Sequence, residues 1–293
     1  MKVAVDCLEC LFHRALVLTR DMLKLSPEAT VEACKKVLRL LLKEFNLNQV
    51  PAWLGTKREK ILQRVLKDPD PYKKFKEETT MLVMRLWKEV RDRFLEGDGF
   101  DTFRRLLLAA AAANSIDPFI LGYDLNLDNF LEQVASAEKN LRMDQSRDLW
   151  KDLSTANNVL YILDNAGEAV IDLDVVRFIK EKLGKKVIVA AREKPVLNDI
   201  TVEEAKKLGF GEIADKVVPV GWFIGVFFNE FVNTEFLKTF DAADLVIAKG
   251  MAAYESMTEY TFEKPVYIIL KAKCNPVASH IGVPRGSYVI KRI

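Results

Sequence analysis

The 293-residue chain lacks several patterns that mark common classes of protein. Its net charge is only +2, with 44 basic and 42 acidic residues interspersed. No lysine or arginine block marks a surface for nucleic acid or for an anionic membrane. No apolar run reaches the length of a transmembrane helix. The first ten residues include an acidic side chain and lack the apolar core of a signal peptide. These absences predict a cytoplasmic protein that binds neither nucleic acid nor membranes, and they leave its oligomeric state open.

Histidine and cysteine are also scarce, with two and four residues respectively. Neither His13 nor His280 is expected to be a catalytic base. Cys34 lies on an apolar helical stripe and is expected in the core. Cys7 and Cys10 are three residues apart on a predicted helix and would share one face. A Cys-x-x-Cys pair of this kind is compatible with a redox site, a metal site or no site at all.

Hydrophobic residues make up 49% of the chain, enough for a sizeable core. Up to about residue 150 the apolar spacing is helical, and Ser26-Pro27-Glu28 has the capping residue and early proline of a helix start. Beyond it, β-branched runs alternate with helical segments. The predicted strands are 159–163, 186–190, 216–219, 245–248, 266–270 and 288–291, and the predicted helices between them are about 168–183, 201–208 and 230–240. This alternation predicts an α/β fold with a Rossmann-like, mostly parallel sheet covered by helices on both faces. We therefore predict an N-terminal all-helical domain over 1–150 and a Rossmann-like α/β domain over 151–293.

Polar side chains follow three of the predicted strands. Asp164, Asn165 and Glu168 come after the first, Asn198 and Asp199 after the second, and Lys249-Gly250 after 245–248. Strand ends of this kind are where open α/β sheets bind ligands. Carboxylate and amide oxygens suit a hard divalent ion, and a lysine there can contact a phosphate. For the first two groups the alternative is helix capping, because Asp, Asn and Thr are good N-caps.

These motifs resemble those of one known family. The matching sequences are Asp164-Asn-Ala-Gly-Glu168, Leu197-Asn-Asp-Ile-Thr201, the segment 243–250 followed by Tyr254-Glu255, Asn114-Ser-Ile-Asp117, the N-terminal Cys-x-x-Cys and Lys273-Cys274-Asn275-Pro276. They are similar to motifs of the DUF89 or damage-control phosphatase family, which includes the ARMT1-like group. The match covers nearly the whole chain and is typical of a cysteine-bearing archaeal and bacterial subfamily. One departure is Ala253, where the family usually has Asn before the Tyr/Phe-Glu pair, so a substrate contact is in question.

The resemblance implies a divalent-metal-dependent phosphatase for small phosphorylated metabolites. It implies Asp164, Asn165 and Asp199 as ligands of the ion, which would be Mn, Ni, Co or Mg. The residues implied at the phosphate pocket are Glu168, Asn198, Lys249, Gly250 and Glu255, with Asn114 and Asp117 from the helical half.

As a mechanism we expect the metal to act as a Lewis acid and to acidify a bound water. Lys249 would stabilise charge on the phosphoryl oxygens, and Glu168 would position the water. Attack by water and attack by an aspartate carboxylate both remain open.

Two other functions compete with this hypothesis. Part of the family has been described as S-adenosylmethionine-dependent carboxyl methyltransferases, but no glycine-rich loop follows the first strand of the α/β half. A non-enzymatic metal or redox protein would instead use Cys7, Cys10 and Cys274, the last of which is added by the resemblance. Three thiolates would suit zinc, and a disulfide is the alternative.

Overall fold

The computed structural model describes residues 1–116 and 130–293. Its helices in chain order are α1 (Asp6–Leu16), α2 (Pro27–Glu44), α3 (Pro51–Leu66), α4 (Lys73–Leu95), α5 (Phe100–Ala113), α6 (Phe130–Ala135), α7 (Ser146–Thr155), α8 (Ala169–Glu181), α9 (Val202–Ala205), α10 (Gly211–Ile213), α11 (Thr234–Ala242), α12 (Gly250–Met257) and α13 (Asn275–Ile281). Wider turns of π-helix extend α1 over Val17–Met22 and α9 over Lys206–Phe210, and a 3-10 turn spans Ala137–Asn140. The predicted start of α2 is confirmed, since the Ser26 hydroxyl accepts a hydrogen bond from the backbone N–H of Ala29.

The strands of the described residues form one seven-stranded sheet in the order β1-β7-β6-β5-β2-β3-β4. They are β1 (Leu141–Asp144), β2 (Asn158–Ile162), β3 (Lys186–Ala191), β4 (Lys216–Pro219), β5 (Leu245–Lys249), β6 (Val266–Lys271) and β7 (Tyr288–Arg292). All pairings are parallel except that of β6 with β7. The α/β prediction is confirmed. Each of the six predicted strands is present, and the short β1 was missed.

Helices cover both faces of this sheet, and successive residues of each strand point to opposite faces. Leu160 and Ile162 of β2 belong to a core with α1, α2 and α3. Val159 and Tyr161 belong to the other core, with α4, α5 and α8. The helices of the N-terminal half are thus divided between the two faces. The domain boundary at residue 150 stays a prediction, with β1 and α7 lying on either side of it.

The centre of the sheet places the loops that carry the polar motifs. β2 lies between β3 and β5, and the chain leaves β2 toward β3 and later returns to β5 on the other side. The loops therefore diverge at the carboxyl end of β2, which creates the crevice where such sheets bind ligands. Asp164 follows this end directly. Among the described residues no helix is both long and apolar enough to span a membrane.

Candidate active site

The loop after β2 holds its polar side chains in a buried hydrogen-bond cluster. The side-chain amide of Asn165 donates to Asp164 Oδ2 at 3.0 Å and to Glu168 Oε2 at 3.2 Å. The amide of Asn114, at the carboxyl end of α5, donates to the same two oxygens at 3.1 and 2.7 Å. The sequence alternative for this loop was helix capping, but no side-chain capping hydrogen bond forms at the start of α8.

The loop after β3 brings Asp199 to the same place. Asn165 and Asp199 pair through an isolated antiparallel bridge, and Ile200 donates its backbone N–H to the carbonyl of Asp164 at 2.8 Å. Thr201 caps α9 in a reciprocal capping box with Glu204, so that helix does not depend on Asp199 for its cap. Asp199 Oδ2 is instead 2.7 Å from Nε of the buried Arg192.

Negative charge is in excess around Asp164. Burial raises the pKa of Asp164 well above its usual value, and the carboxylates of Asp199 and Glu168 raise it further. Lys273 and Arg192 act in the opposite direction without cancelling the effect. Two carboxylates and an amide gathered in this way form an oxygen donor set suited to a hard divalent cation, which would supply the missing positive charge.

Lys249 lies beneath this cluster and is fully buried. Its ammonium is 2.7 Å from Asp172 Oδ1 and 3.4 Å from Glu168 Oε1, and it also donates to the carbonyl of Ala110 at 3.1 Å. Burial alone would lower the pKa of Lys249, but Asp172 and Glu168 raise it, so the side chain stays charged. The Lys249 side chain is not among those that line the cavity described below, and its contact with a phosphate stays a prediction.

Gly250, the residue after Lys249, occupies a position where no larger residue fits. Its φ is +86°, and a Cβ atom would lie 1.9 Å from Asp164 Oδ2. The glycine therefore allows β5 to end directly against the carboxylate of Asp164.

A cavity of about 520 Å³ opens in front of these loops. On one side, which we call the sheet wall, it is lined by Asp164, Asn165, Leu197, Asn198, Asp199, Met251, Ala252, Glu255 and Lys273. On the other, the helical wall, it is lined by Cys7, Cys10, Leu11 and Arg14 of α1 and Pro51, Ala52, Gly55 and Arg58 of α3. Ile224, Cys274 and Pro276 also line it, and exposed residues including Val5, Glu9 and Arg285 surround its mouth.

The structure thus brings most predicted residues to one cavity. Asp164, Asn165, Asn198, Asp199 and Glu255 line it directly. Asn114, Glu168 and Gly250 support Asp164 from behind. Asp117 lies outside the described residues.

The three cysteines singled out from the sequence line this same cavity. All are free thiols. Burial raises the pKa of Cys7 and of Cys274 to about 12. In the described part of the chain no group of three or more His, Cys, Asp or Glu side chains is arranged to hold a metal ion. A zinc site at the thiols stays a prediction.

Sequence reasoning assigned no role to two charged residues that matter here, although the motif at 273–276 includes one of them. Lys273, two residues beyond β6, lines the cavity and donates to the carbonyl of Asn114 at 2.8 Å. Its place at the site could have been predicted, because Lys273 follows the carboxyl end of a strand as Asp164 does. Asp172 partners Lys249 from within α8, and no sequence signal distinguished it from an ordinary helical aspartate.

Fold and site together define an α/β protein with a buried acidic cluster that faces a cavity at the carboxyl ends of its central strands. The damage-control phosphatase ARMT1-like domain matches residues 3–289. The chain therefore belongs to the damage-control phosphatase, or DUF89, family, and the resemblance seen in its motifs is confirmed.

Individual relatives match over nearly their whole length. The chain is 32% identical to a damage-control phosphatase of Pyrococcus horikoshii over 297 residues, which cover 100% of this chain and 98% of that protein. It is 35% identical over 294 residues to an uncharacterized protein of Methanocaldococcus jannaschii, with 99% and 95% covered. The 2.04 Å crystal structure of a DUF89 family protein from Pyrococcus horikoshii matches with a TM-score of 0.86 at 30% identity, covering 100% of this chain and 99% of that one.

Proposed function

We propose that this protein is a divalent-metal-dependent phosphatase that hydrolyses small phosphorylated metabolites in the cytoplasm. The observation that carries the proposal is the buried pair of carboxylates, Asp164 and Asp199, at the end of the cavity formed by the central strands. Support also comes from two proteins similar to this chain, one from Pyrococcus horikoshii and one from Archaeoglobus fulgidus, both named damage-control phosphatases.

Asp164, Asn165 and Asp199 would hold the ion. Both amide hydrogens of Asn165 are directed to acceptors, one to Asp164 and one to Glu168, so its Oδ1 is the atom left for a cation. When bound, the ion would supply Lewis-acid activation of the phosphoryl group.

Other residues of the chain have roles that follow from their positions. Glu168 accepts from both Asn114 and Asn165 and so fixes the orientation of each amide. Lys249 balances the charge of Glu168 and Asp172 from beneath. Lys273 is the lining cation whose field reaches Asp164, and it would stabilise negative charge on a phosphoryl group in the cavity.

The test is phosphate release from a panel of phosphomonoesters with Mn, Ni, Co or Mg. We expect activity that requires a divalent ion and that falls by ~10³-fold or more in Asp164→Asn. The matched control is Asp148→Asn, which removes an exposed carboxylate on α7 and should behave as the wild type. Equal activity in wild type and Asp164→Asn would overturn the assignment.

A further inference from the structure

We infer that the substrates of this site are phosphomonoesters with a largely apolar organic group, and that polyhydroxylated sugar phosphates are poor substrates. This inference rests on the proposed phosphatase function and concerns the part of the cavity that the phosphate does not fill.

The helical wall contains Arg14 and Arg58, but helix periodicity gives it an apolar stripe on each of its two helices. Cys7 and Leu11 are four residues apart on α1, and Ala52 and Gly55 are three apart on α3, so each pair forms one stripe along its helix. All four line the cavity. Side chains at this spacing form a continuous surface with little capacity for hydrogen bonding, since a thiol is only a weak donor and acceptor.

Ile224 closes this surface between the two helices. A Cβ atom placed on Gly55 would lie 3.3 Å from Ile224 Cδ1 and 3.9 Å from Leu11 Cδ2, so the three residues meet at one point of the wall. Arg58 Nη2 lies at the edge of this point, also 3.9 Å from that Cβ position. Thr56 fixes the Ile224 backbone by accepting its N–H at 2.9 Å. Leu197 and Met251 extend the apolar lining toward the carboxylates.

The charged residues deeper in the cavity already have partners within the protein. Both Nε and Nη2 of Arg58 lie 2.7 Å from Glu59 Oε1. Lys273 donates to the carbonyl of Asn114. Burial raises the pKa of Glu255 to about 7, although Arg14, Lys273 and a hydrogen bond from the Ala52 backbone act in the opposite direction. Hydroxyl groups of a sugar would therefore exchange hydrogen bonds with water for few new ones, at a loss of about tenfold in affinity for each unreplaced bond.

The size of the cavity also supports a substrate with a sizeable organic group. A volume of about 520 Å³ falls within the range of pockets that enclose ligands of many heavy atoms. A phosphate group held through an ion at Asp164 and Asp199 would leave most of this space to the organic part of the ester.

The experiment is a homologous series of straight-chain alkyl phosphates, from methyl to heptyl, compared with a hexose 6-phosphate. Burial of each methylene should raise kcat/KM about fourfold (~0.8 kcal/mol) until the chain fills the cavity. Hexyl phosphate should exceed the hexose phosphate by roughly 10²-fold or more. Ile224→Ala should flatten the dependence on chain length, whereas Ile61→Ala, which changes a residue outside the cavity lining, should retain it.

A binding measurement keeps the two proposals separate. Hexylphosphonate should bind to the metal-supplemented protein on the order of 10³-fold more tightly than methylphosphonate. Phosphate release without any dependence on chain length, or with preference for the hexose ester, would overturn this inference and leave the phosphatase intact. No release from any ester with any metal would overturn the phosphatase, and equal affinity for the two phosphonates would overturn the apolar cavity independently.

Discussion

The sheet wall and the helical wall of the cavity are built from different secondary structure and carry different chemistry. The sheet wall consists of loops at strand ends and of one face of α12. In the loops, Asp164, Asn165 and Asp199 are tied to one another and to the ends of the strands. The helical wall consists of the faces of α1 and α3, which present thiols, aliphatic groups and the guanidinium groups of Arg14 and Arg58. Under the proposed function, the reaction belongs to the sheet wall and selectivity to the helical wall.

The two walls also differ in the residues that pack behind them. Behind the sheet wall lies the buried cluster of Lys249, Asp172 and Glu168, which sets the positions of the amides through charge. Behind the helical wall lie the apolar side chains of Leu54 and Leu62 and the buried Glu59, which pairs with Arg58. Removal of the Lys249 cation, which two buried carboxylates share, should therefore destabilise the fold more than substitution of an uncharged side chain in the helical wall.

The largest effect is expected for Lys249→Met. It would leave Asp172 and Glu168 buried without their cation, at a cost of about 3–5 kcal/mol in the free energy of unfolding. Denaturant unfolding measures this directly. Lys238→Met, which removes an exposed lysine of α11, is the control and should change stability by less than about 0.5 kcal/mol. A small effect of Lys249→Met would show that the ion cluster does not support the sheet wall.

The next largest effect concerns Glu255 and is a dependence of the free energy of unfolding on pH. Burial raises its pKa from 4.5 to about 7, so between these values the folded state holds a proton that the unfolded state has lost. Its contribution to stability is therefore lost as pH rises through this window, by at most about 3 kcal/mol.

Glu255→Gln should remove that dependence. Relative to wild type it should gain stability between pH 4.5 and pH 7.5, as followed by chemical denaturation at both values. Glu89→Gln on the exposed surface of α4 should run parallel to wild type. Parallel curves for Glu255→Gln and wild type would show that Glu255 is ionised throughout.

Gly250→Ala tests the close approach in the sheet wall against a matched glycine. Gly250 and Gly282 have φ values of +86° and +87°, but a Cβ at Gly282 meets nothing within 4 Å. Both substitutions carry backbone strain of about 1–2 kcal/mol. Only Gly250→Ala should also displace Asp164 and reduce phosphate release, by about 10²-fold. Equal activity of the two variants would show that Asp164 tolerates displacement.

The smallest effect is expected for Cys10→Ser in the helical wall. If the reaction belongs to the sheet wall, kcat/KM for a short phosphomonoester under reducing conditions should change by no more than about threefold, since a thiol and a hydroxyl differ little in size. Cys34→Ser, outside the cavity lining, is the control. A loss of 10²-fold or more would assign the thiols to the chemistry, and metal analysis of a Cys7/Cys10 double variant would then test for zinc.

Much of the fold was predictable because buried parallel strands appear in the sequence as runs of β-branched residues. β2 and β5 are buried along nearly their whole length and were identified on this basis. β1, with the sequence Leu-Arg-Met-Asp and alternate residues exposed, has no such run. The division of the N-terminal helices between the two faces could not be predicted, because helical periodicity does not say which face of a sheet a helix will cover.

The candidate site was predictable at strand ends and less so beneath them. Asp164 and Asp199 follow strands that are neighbours, which the order of strands made plausible from sequence. Lys249 also ends a strand, but it has the same parity as Leu245 and Ile247, which face the core containing α5 and α8. Its side chain therefore points beneath the cluster, and only knowledge of the two faces reveals this. Asp172, its partner, becomes recognisable only in three dimensions.

The residues that line the cavity run from Val5 near the start of the sequence to Arg285 near its end. A ligand held there ties distant parts of the chain together, so its binding energy acts on the cooperativity of unfolding and not on one local segment. At a hundred times its dissociation constant such a ligand adds about 2.7 kcal/mol to global stability. Amide hydrogen exchange should accordingly slow in α1, in β2 and in β6 at once, although these elements lie far apart in the chain.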